Sequence, residues 1–106
     1  MGNSVRATKE NVQVGTILTY AYQWASRHPK FVRVIKRTPC SVQVEELGRI
    51  IVTHDGYGQN GTCIADLVSD GRVINRTYRF DKKGRLNIDK ELCYIYDGTP
   101  EDFYTD

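Results

Sequence analysis

Cysteine, histidine and aspartate side chains are the groups in this chain that could carry nucleophilic chemistry. The candidate nucleophile–base set is Cys63 or Cys40 with His54 and Asp55, because a thiol reacts as the thiolate and needs a base to form it. No nucleophile elbow or phosphate-binding loop accompanies this set, and a His-Asp pair beside glycines is typical of a turn. We therefore expect no catalytic residues and no enzymatic activity.

The possible metal ligands are equally scattered. The chain contains three cysteines and two histidines, and none of them is paired at C-x-x-C or H-x₃₋₅-H spacing. Such pairing is what identifies a structural zinc site, so we expect no metal site and no cofactor. Residues 1–13 contain no apolar export signal, which predicts a cytoplasmic protein with reduced thiols.

Basic and aromatic side chains are the stronger candidates for function, and they indicate binding. Exposed aromatic rings stack on nucleic-acid bases, and Lys or Arg neutralise phosphates. The alternative is that the rings fill a small core while the basic residues form a solvated face or block a strand edge. The candidate binding residues are Tyr22, Trp24, Arg27, Lys30, Arg33, Lys36, Tyr57, Lys82 and Lys83.

The charge is low in total and unevenly distributed. A formal net charge of +2 is small for a dedicated nucleic-acid-binding protein. Residues 97–106 contain four carboxylate side chains and no basic one, which leaves +6 on residues 1–96. The acidic end, with Phe103 and Tyr104, either mimics nucleic acid, docks on a basic protein groove, or is a frayed terminus.

The stretch Val14–Leu47 contains the strands that must position most of these residues. In its last strand, Val42 and Val44 alternate with polar residues, which is typical of a sheet with one solvated face. Residues 37–40 form a link short enough for a hairpin, so the second and third strands should pair antiparallel. The three predicted strands are Thr16–Tyr22, Phe31–Lys36 and Ser41–Glu46.

The second half of the chain gives weaker signals. Ile50–Val52 either extends the third strand or begins another, and three glycines in residues 54–61 predict a loop. Beyond it we predict a hairpin with Gly84 at a positive φ, and then a final strand. The segments concerned are Thr77–Phe80 with Arg85–Ile88, and Leu92–Tyr96.

These patterns predict an all-β protein with five or six short strands and no helix. The fold class that we expect is a small, strongly bent antiparallel SH3-like barrel, with an OB-like barrel as the alternative. Residues 1–13 would be a flexible N-terminal segment, residues 14–98 a single β-barrel domain, and residues 99–106 an acidic C-terminal tail. The predicted core consists of Ile17 or Leu18, Val34, Val42, Val44, Leu86 and Ile95.

One pattern runs through the segments Val14–Leu18, Tyr20–Trp24, Phe31–Thr38, Ser41–Val44 and Tyr94–Gly98. It consists of a Gly-hydrophobic strand with a Trp/Tyr segment, an F-x-x-V strand, a V-x-V strand, and a Tyr-rich strand before Asp-Gly. This pattern resembles a family of small, mostly uncharacterised bacteriophage proteins. The resemblance covers roughly residues 14–48 and 77–98. It implies an SH3-like barrel and a phage or mobile-element origin, and it supplies no activity.

Small phage proteins of this size often block host defence or host enzymes by direct binding, so a phage origin would favour an inhibitor by association. We expect stoichiometric binding to a host protein, such as a CRISPR effector or another defence nuclease, and no membrane partner. The contact surfaces would be the Gln23–Lys30 connection, the Gly56–Gly61 loop and the Asp81–Gly84 hairpin tip. The alternative is a nucleic-acid-binding barrel that uses Tyr20, Tyr22, Trp24, Arg33 and Lys36.

Overall fold

The computed structural model describes residues 5–22, 26–56, 60–68 and 71–104. The described residues form β-strands, turns and loops without a helix, as the sequence predicted, and they include no helix long and apolar enough to cross a membrane. The strands are β1 (Val5–Arg6), β2 (Ile17–Tyr22), β3 (His28–Arg37), β4 (Ser41–Leu47), β5 (Arg49–His54), β6 (Asn60–Ala65), β7 (Arg72–Arg79), β8 (Asn87–Ile88), β9 (Glu91–Leu92), β10 (Tyr94–Ile95) and β11 (Glu101–Tyr104).

A six-stranded antiparallel sheet in the order β1-β10-β2-β3-β4-β7 forms the larger part of the fold. β3 lies near its middle because its side chains are apolar on both faces. Phe31 packs on one side of the sheet, while Val32 and Val34 pack on the other. The predicted hairpin is confirmed, since β3 and β4 pair antiparallel with Val34 opposite Val44.

A second, three-stranded sheet in the order β11-β6-β5 covers part of the first. Its cluster of buried residues joins Phe31 and Leu47 of the larger sheet to Cys63, Ala65 and Phe103. A third element is the two-stranded hairpin β8–β9. The two clusters therefore lie on opposite faces of the larger sheet, and Phe31 belongs to the one between the sheets.

The predicted core is confirmed for most of its members. Val34 and Val44 are completely buried and Val42 is 1% exposed, as their alternation with polar residues required. Leu18 and Leu86 are buried in the same cluster, while Ile17 and Ile95 are half-buried at the margins of the two clusters.

The prediction of a closed barrel is not confirmed. The larger sheet ends at β1 and β7, and these two strands do not pair with each other among the described residues. After β4, Gly48 separates this strand from β5, and β5 pairs with β6 instead of extending the first sheet. The chain is thus an all-β protein of antiparallel sheets that remain open.

Described residues near both ends of the chain contribute to the sheets, which corrects the prediction of a loose segment for residues 5–13 and of a tail outside the sheet for residues 101–104. Val5–Arg6 pairs with β10, and Ala7 and Val12 are buried. At the other end, Glu101–Tyr104 pairs along its whole length with β6, and Phe103 is 4% exposed. Each segment contributes only one or two buried apolar residues. So few residues cannot show the alternation of apolar and polar side chains that predicts a strand.

The predicted hairpin after β7 is partly wrong. The turn forms, because the Asp81 N–H donates to the Arg85 carbonyl and Gly84 adopts a φ of 77°. However, β7 pairs with β4, and the residues after the turn bond to the N-terminal segment through the Leu86 N–H and the Ala7 carbonyl. The N-terminal segment therefore lies beside Leu86, where the predicted hairpin would have placed Thr77–Phe80.

Candidate functional site

Two of the predicted binding residues hold the fold together. Arg33 lies opposite Glu45 in the β3–β4 register, and its guanidinium binds that carboxylate at 2.6 Å and the Leu67 carbonyl at 3.0 Å. Arg27 donates to the Asp102 carbonyl at 3.0 Å and lies 3.7 Å from Glu101. These arginines connect the larger sheet to the segments around β6 and β11. Their guanidinium groups are therefore engaged within the protein, and a ligand would have to compete for them.

The remaining members of that predicted surface are dispersed. Lys30 lines a cleft of about 290 Å³ beside His28, Glu46 and Arg49, whereas Lys36 is exposed at the bulge in β3. The Tyr20 ring is 6% exposed and cannot stack on a base. Trp24 and Tyr57, and the side chain of Tyr22, lie outside the described residues.

Lys82 and Lys83 are exposed on a turn that Asp81 organises. Its carboxylate accepts the backbone N–H groups of Lys83 and Arg85, both at 2.9 Å. These hydrogen bonds, with the one from Arg85 foremost, hold the pKa of Asp81 below its ordinary value. The two lysines are therefore presented to solvent by a hydrogen-bonded turn.

The acidic C-terminal segment is a structural strand in this fold. Burial raises the pKa of Glu101, and the nearby Arg27 guanidinium opposes that shift. Phe103 is covered by the Arg49 guanidinium, which lies 4.7 Å from its ring centroid. Glu101 and Phe103, which could have mimicked nucleic acid, thus contact arginines of the same chain.

The candidate nucleophile–base set is not assembled as a reactive group. Cys63 is fully buried, and burial raises its pKa against the opposing influence of Arg49. The Nδ1 atom of His54 accepts the Gly56 N–H at 3.1 Å within its own loop. Cys40 lies in the turn between β3 and β4 and is exposed. No group of three potential metal ligands occurs among the described residues.

The three thiols are expected to differ sharply in reactivity. At neutral pH, a thiol reagent should modify Cys40 rapidly and reach Cys63 and Cys93 only after unfolding. Both of these are buried, and desolvation raises the pKa of Cys93 to about 12, which suppresses its thiolate. The measurement is intact mass during labelling, with Cys40→Ser as the control that should lose the rapid phase. Rapid labelling of that control, or a disulfide in the unreduced protein, would contradict the assignment.

The feature that sequence reasoning missed is the open edge formed by β5. This strand ends the order of the second sheet, and all six of its residues are exposed. Ile50, Ile51 and Val52 are consecutive, apolar and 46%, 43% and 48% exposed. A run of three apolar residues gave the only available signal, and it does not distinguish a buried strand from an exposed one.

Backbone hydrogen bonds show which groups of β5 face outward. The Asp66 N–H donates to the Gly48 carbonyl, and the Asp55 N–H donates to the Asn60 carbonyl. Because hydrogen-bonded and non-hydrogen-bonded pairs alternate in an antiparallel ladder, the N–H groups of Arg49, Ile51 and His54 point away from β6. The edge therefore offers both apolar side chains and peptide groups that can receive another strand.

In the described part of the chain, the other edges of the two larger sheets are short, covered or charged. β1 has two residues, and the outer side of β11 is closed by mutual backbone hydrogen bonds between Arg27 and Tyr104 at 2.9 and 3.0 Å. β7 carries an arginine at positions 72, 76 and 79, and charged side chains discourage pairing. β5 has no charged side chain between Arg49 and His54, although the bulge at Val52 bends it.

Comparisons of this chain with known proteins identified no relative. No family model, no curated protein and no solved structure matches the chain.

Proposed function

We propose that this protein is a small, non-enzymatic binding protein of phage type that inhibits a host factor by accepting one of its strands on the edge of β5. The host factor would be a protein such as a CRISPR effector or another defence nuclease. The observation that carries the proposal is the exposed run Ile50–Val52 on β5, whose outer edge has no partner strand among the described residues. An exposed apolar edge left uncovered is an aggregation hazard, whereas a partner strand converts it into an interface.

Strand addition fits the chemistry of this edge. The partner's main chain would bond to the outward peptide groups of β5, which supplies affinity, and its side chains would contact alternate residues, which supplies specificity. Ile50 and Ile51 point to opposite faces of the strand, so a partner segment with apolar side chains on both faces matches it best. Arg49 and His54 bound the apolar run and would fix the register.

The phage origin and the inhibitory role rest on the sequence resemblance and on the small size of the chain. The SH3-like barrel remains a prediction of that resemblance, and strand addition on β5 does not depend on it. Direct nucleic-acid binding through the predicted basic-aromatic face has less support, because Tyr20 is buried and Arg33 is paired with Glu45.

Val52→Lys should abolish partner binding while the protein stays folded. Lysine on an edge strand discourages pairing, and position 52 is exposed enough to accept it. The experiment captures proteins from a bacterial host lysate on immobilised wild type, then measures affinity and stoichiometry with the purified partner. We expect a 1:1 complex and at least a tenfold weaker affinity for the variant, about 1.4 kcal/mol.

Val14→Lys is the matched control. It makes the same substitution at a valine that is 64% exposed in the loop before β2, away from β5. This control should bind as tightly as wild type. Equal losses in the two variants would indicate a charge effect, and an unchanged affinity in Val52→Lys would refute strand addition at this edge.

A further inference from the structure

The outer edge of β7 and the turn between β8 and β9 form a basic cleft that is separate from β5. The cleft has a volume of about 480 Å³ and is open to solvent on one side. Its lining includes three cationic residues and one carboxylate, with amide and hydroxyl groups between them. The lining residues are Arg76, Thr77, Tyr78, Arg79, Asn87, Asp89 and Lys90.

The turn that closes this cleft has an unfavourable conformation. Asp89 and Lys90 connect β8 to β9 as a two-residue loop, with φ angles of 51° and 68°. Such turns favour Asn-Gly, because glycine adopts positive φ without steric cost, whereas lysine does not. Lys90 thus has a strained backbone conformation, and in this conformation it lines the cleft as a cation.

The charges in the cleft are only partly compensated. Asp89 lies 3.5 Å from Arg76, so that arginine is paired, although it is still 67% exposed at its side chain. Among the described residues, neither Arg79 nor Lys90 has a side-chain ion pair or hydrogen bond. Arg79 follows the core-facing Tyr78 in β7, so its side chain lies on the opposite face of the strand. An anion entering the cleft would therefore find Lys90 available and Arg76 to share with Asp89.

The lining favours a nucleic-acid backbone over an acidic protein. A protein interface usually has an apolar centre, but the one aromatic residue here, Tyr78, is 7% exposed beneath the Arg76 guanidinium. With its face covered, Tyr78 offers no platform for base stacking. Arginine, however, binds phosphate oxygens with two parallel N–H donors, and Arg76 lines the cleft.

We propose that this cleft is a second binding site, which takes the phosphates of a nucleic-acid backbone without reading the bases. Arg76 and Lys90 supply the positive charge, and Asp89 weakens binding by competing for Arg76. The site is independent of strand addition on β5, so either proposal can fail without the other. Substitutions at Lys90 and Asp89 test it in opposite directions.

The test titrates labelled oligo(dT) and oligo(U) with the full chain between about 50 and 200 mM salt, where phosphate contacts weaken steeply. Lys90→Gln should weaken binding about three- to tenfold at the lowest salt and lower the salt slope by about 0.7. Asp89→Asn should tighten binding about fivefold, since it removes a unit charge close to the phosphate. Asparagine tolerates positive φ, so this variant is expected to remain folded.

Lys9→Gln is the matched control, because Lys9 is exposed in the N-terminal segment and does not line the cleft. It should leave affinity unchanged. Polyglutamate serves as the acidic-protein probe and should bind much more weakly than the oligonucleotides. The proposal is overturned by tighter binding of polyglutamate, by equal effects of Lys9→Gln and Lys90→Gln, by no gain in Asp89→Asn, or by no nucleic-acid binding at about 50 mM salt.

Discussion

Phe31→Ala is expected to lower the free energy of unfolding by about 3–5 kcal/mol, far more than a substitution at an exposed position should. Phe31 is 1% exposed and lies in the cluster that joins the two larger sheets. Its ring meets that of Tyr96 edge to face, with centroids 4.8 Å apart. Removing it opens a cavity between sheets that cannot collapse without moving both.

The measurement for Phe31→Ala is urea unfolding followed by circular dichroism. Tyr104→Ala provides the comparison, since that aromatic residue lies in the second sheet but is 40% exposed and should cost less than about 1 kcal/mol. Similar losses in both variants would mean that the cluster around Phe31 does not hold the sheets together.

Gly61→Ala is expected to cost at least about 2 kcal/mol and to disrupt the β5–β6 pair selectively. A methyl group at position 61 would collide with the Thr53 carbonyl oxygen and would lie 2.9 Å from the Cα atom of His54. Both contacts are with backbone, which cannot rotate away as a side chain can. Glycine is therefore required where the bulged strand β5 crosses close to β6.

Gly48→Ala is the matched control for that substitution. Its added methyl group would meet only the Asp66 Cβ atom, at an ordinary contact distance of 3.9 Å. Stability should change by less than about 0.5 kcal/mol. Urea unfolding of both variants decides the matter, and equal stability of the two would contradict the close approach of β5 and β6.

The sequence predicted the centre of the fold well because β3 and β4 carry clear patterns. Val42 and Val44 alternate with polar residues, and that alternation identified both the strand and its buried face. The second sheet was not predicted, because β5 is a short apolar run without alternation and β11 lies in an acidic segment. Pairing between segments as distant as residues 60 and 104 depends on tertiary contacts that local patterns do not contain.

The candidate site shows the same limit. Charge and aromatic content marked Arg27 and Arg33 as ligand-binding residues, but the strand register brings Arg33 against Glu45 and the sheet arrangement brings Arg27 against β11. Which arginine is free depends on such pairings, and residue type alone does not reveal them. The open edge of β5 likewise follows from the order of strands in the sheet, which the sequence does not show.

Amide hydrogen exchange along β5 tests the central claim most directly. It would be followed by NMR on the isotope-labelled protein, free and in complex with its captured partner. In the free protein, the outward-facing N–H groups of Arg49, Ile51 and His54 should exchange rapidly, because nothing in the described part of the fold protects them. In the complex these three amides should become protected, while those of β7 should not change. Protection confined to β7, or unchanged rapid exchange along β5, would contradict the assignment of β5 as the partner-binding edge.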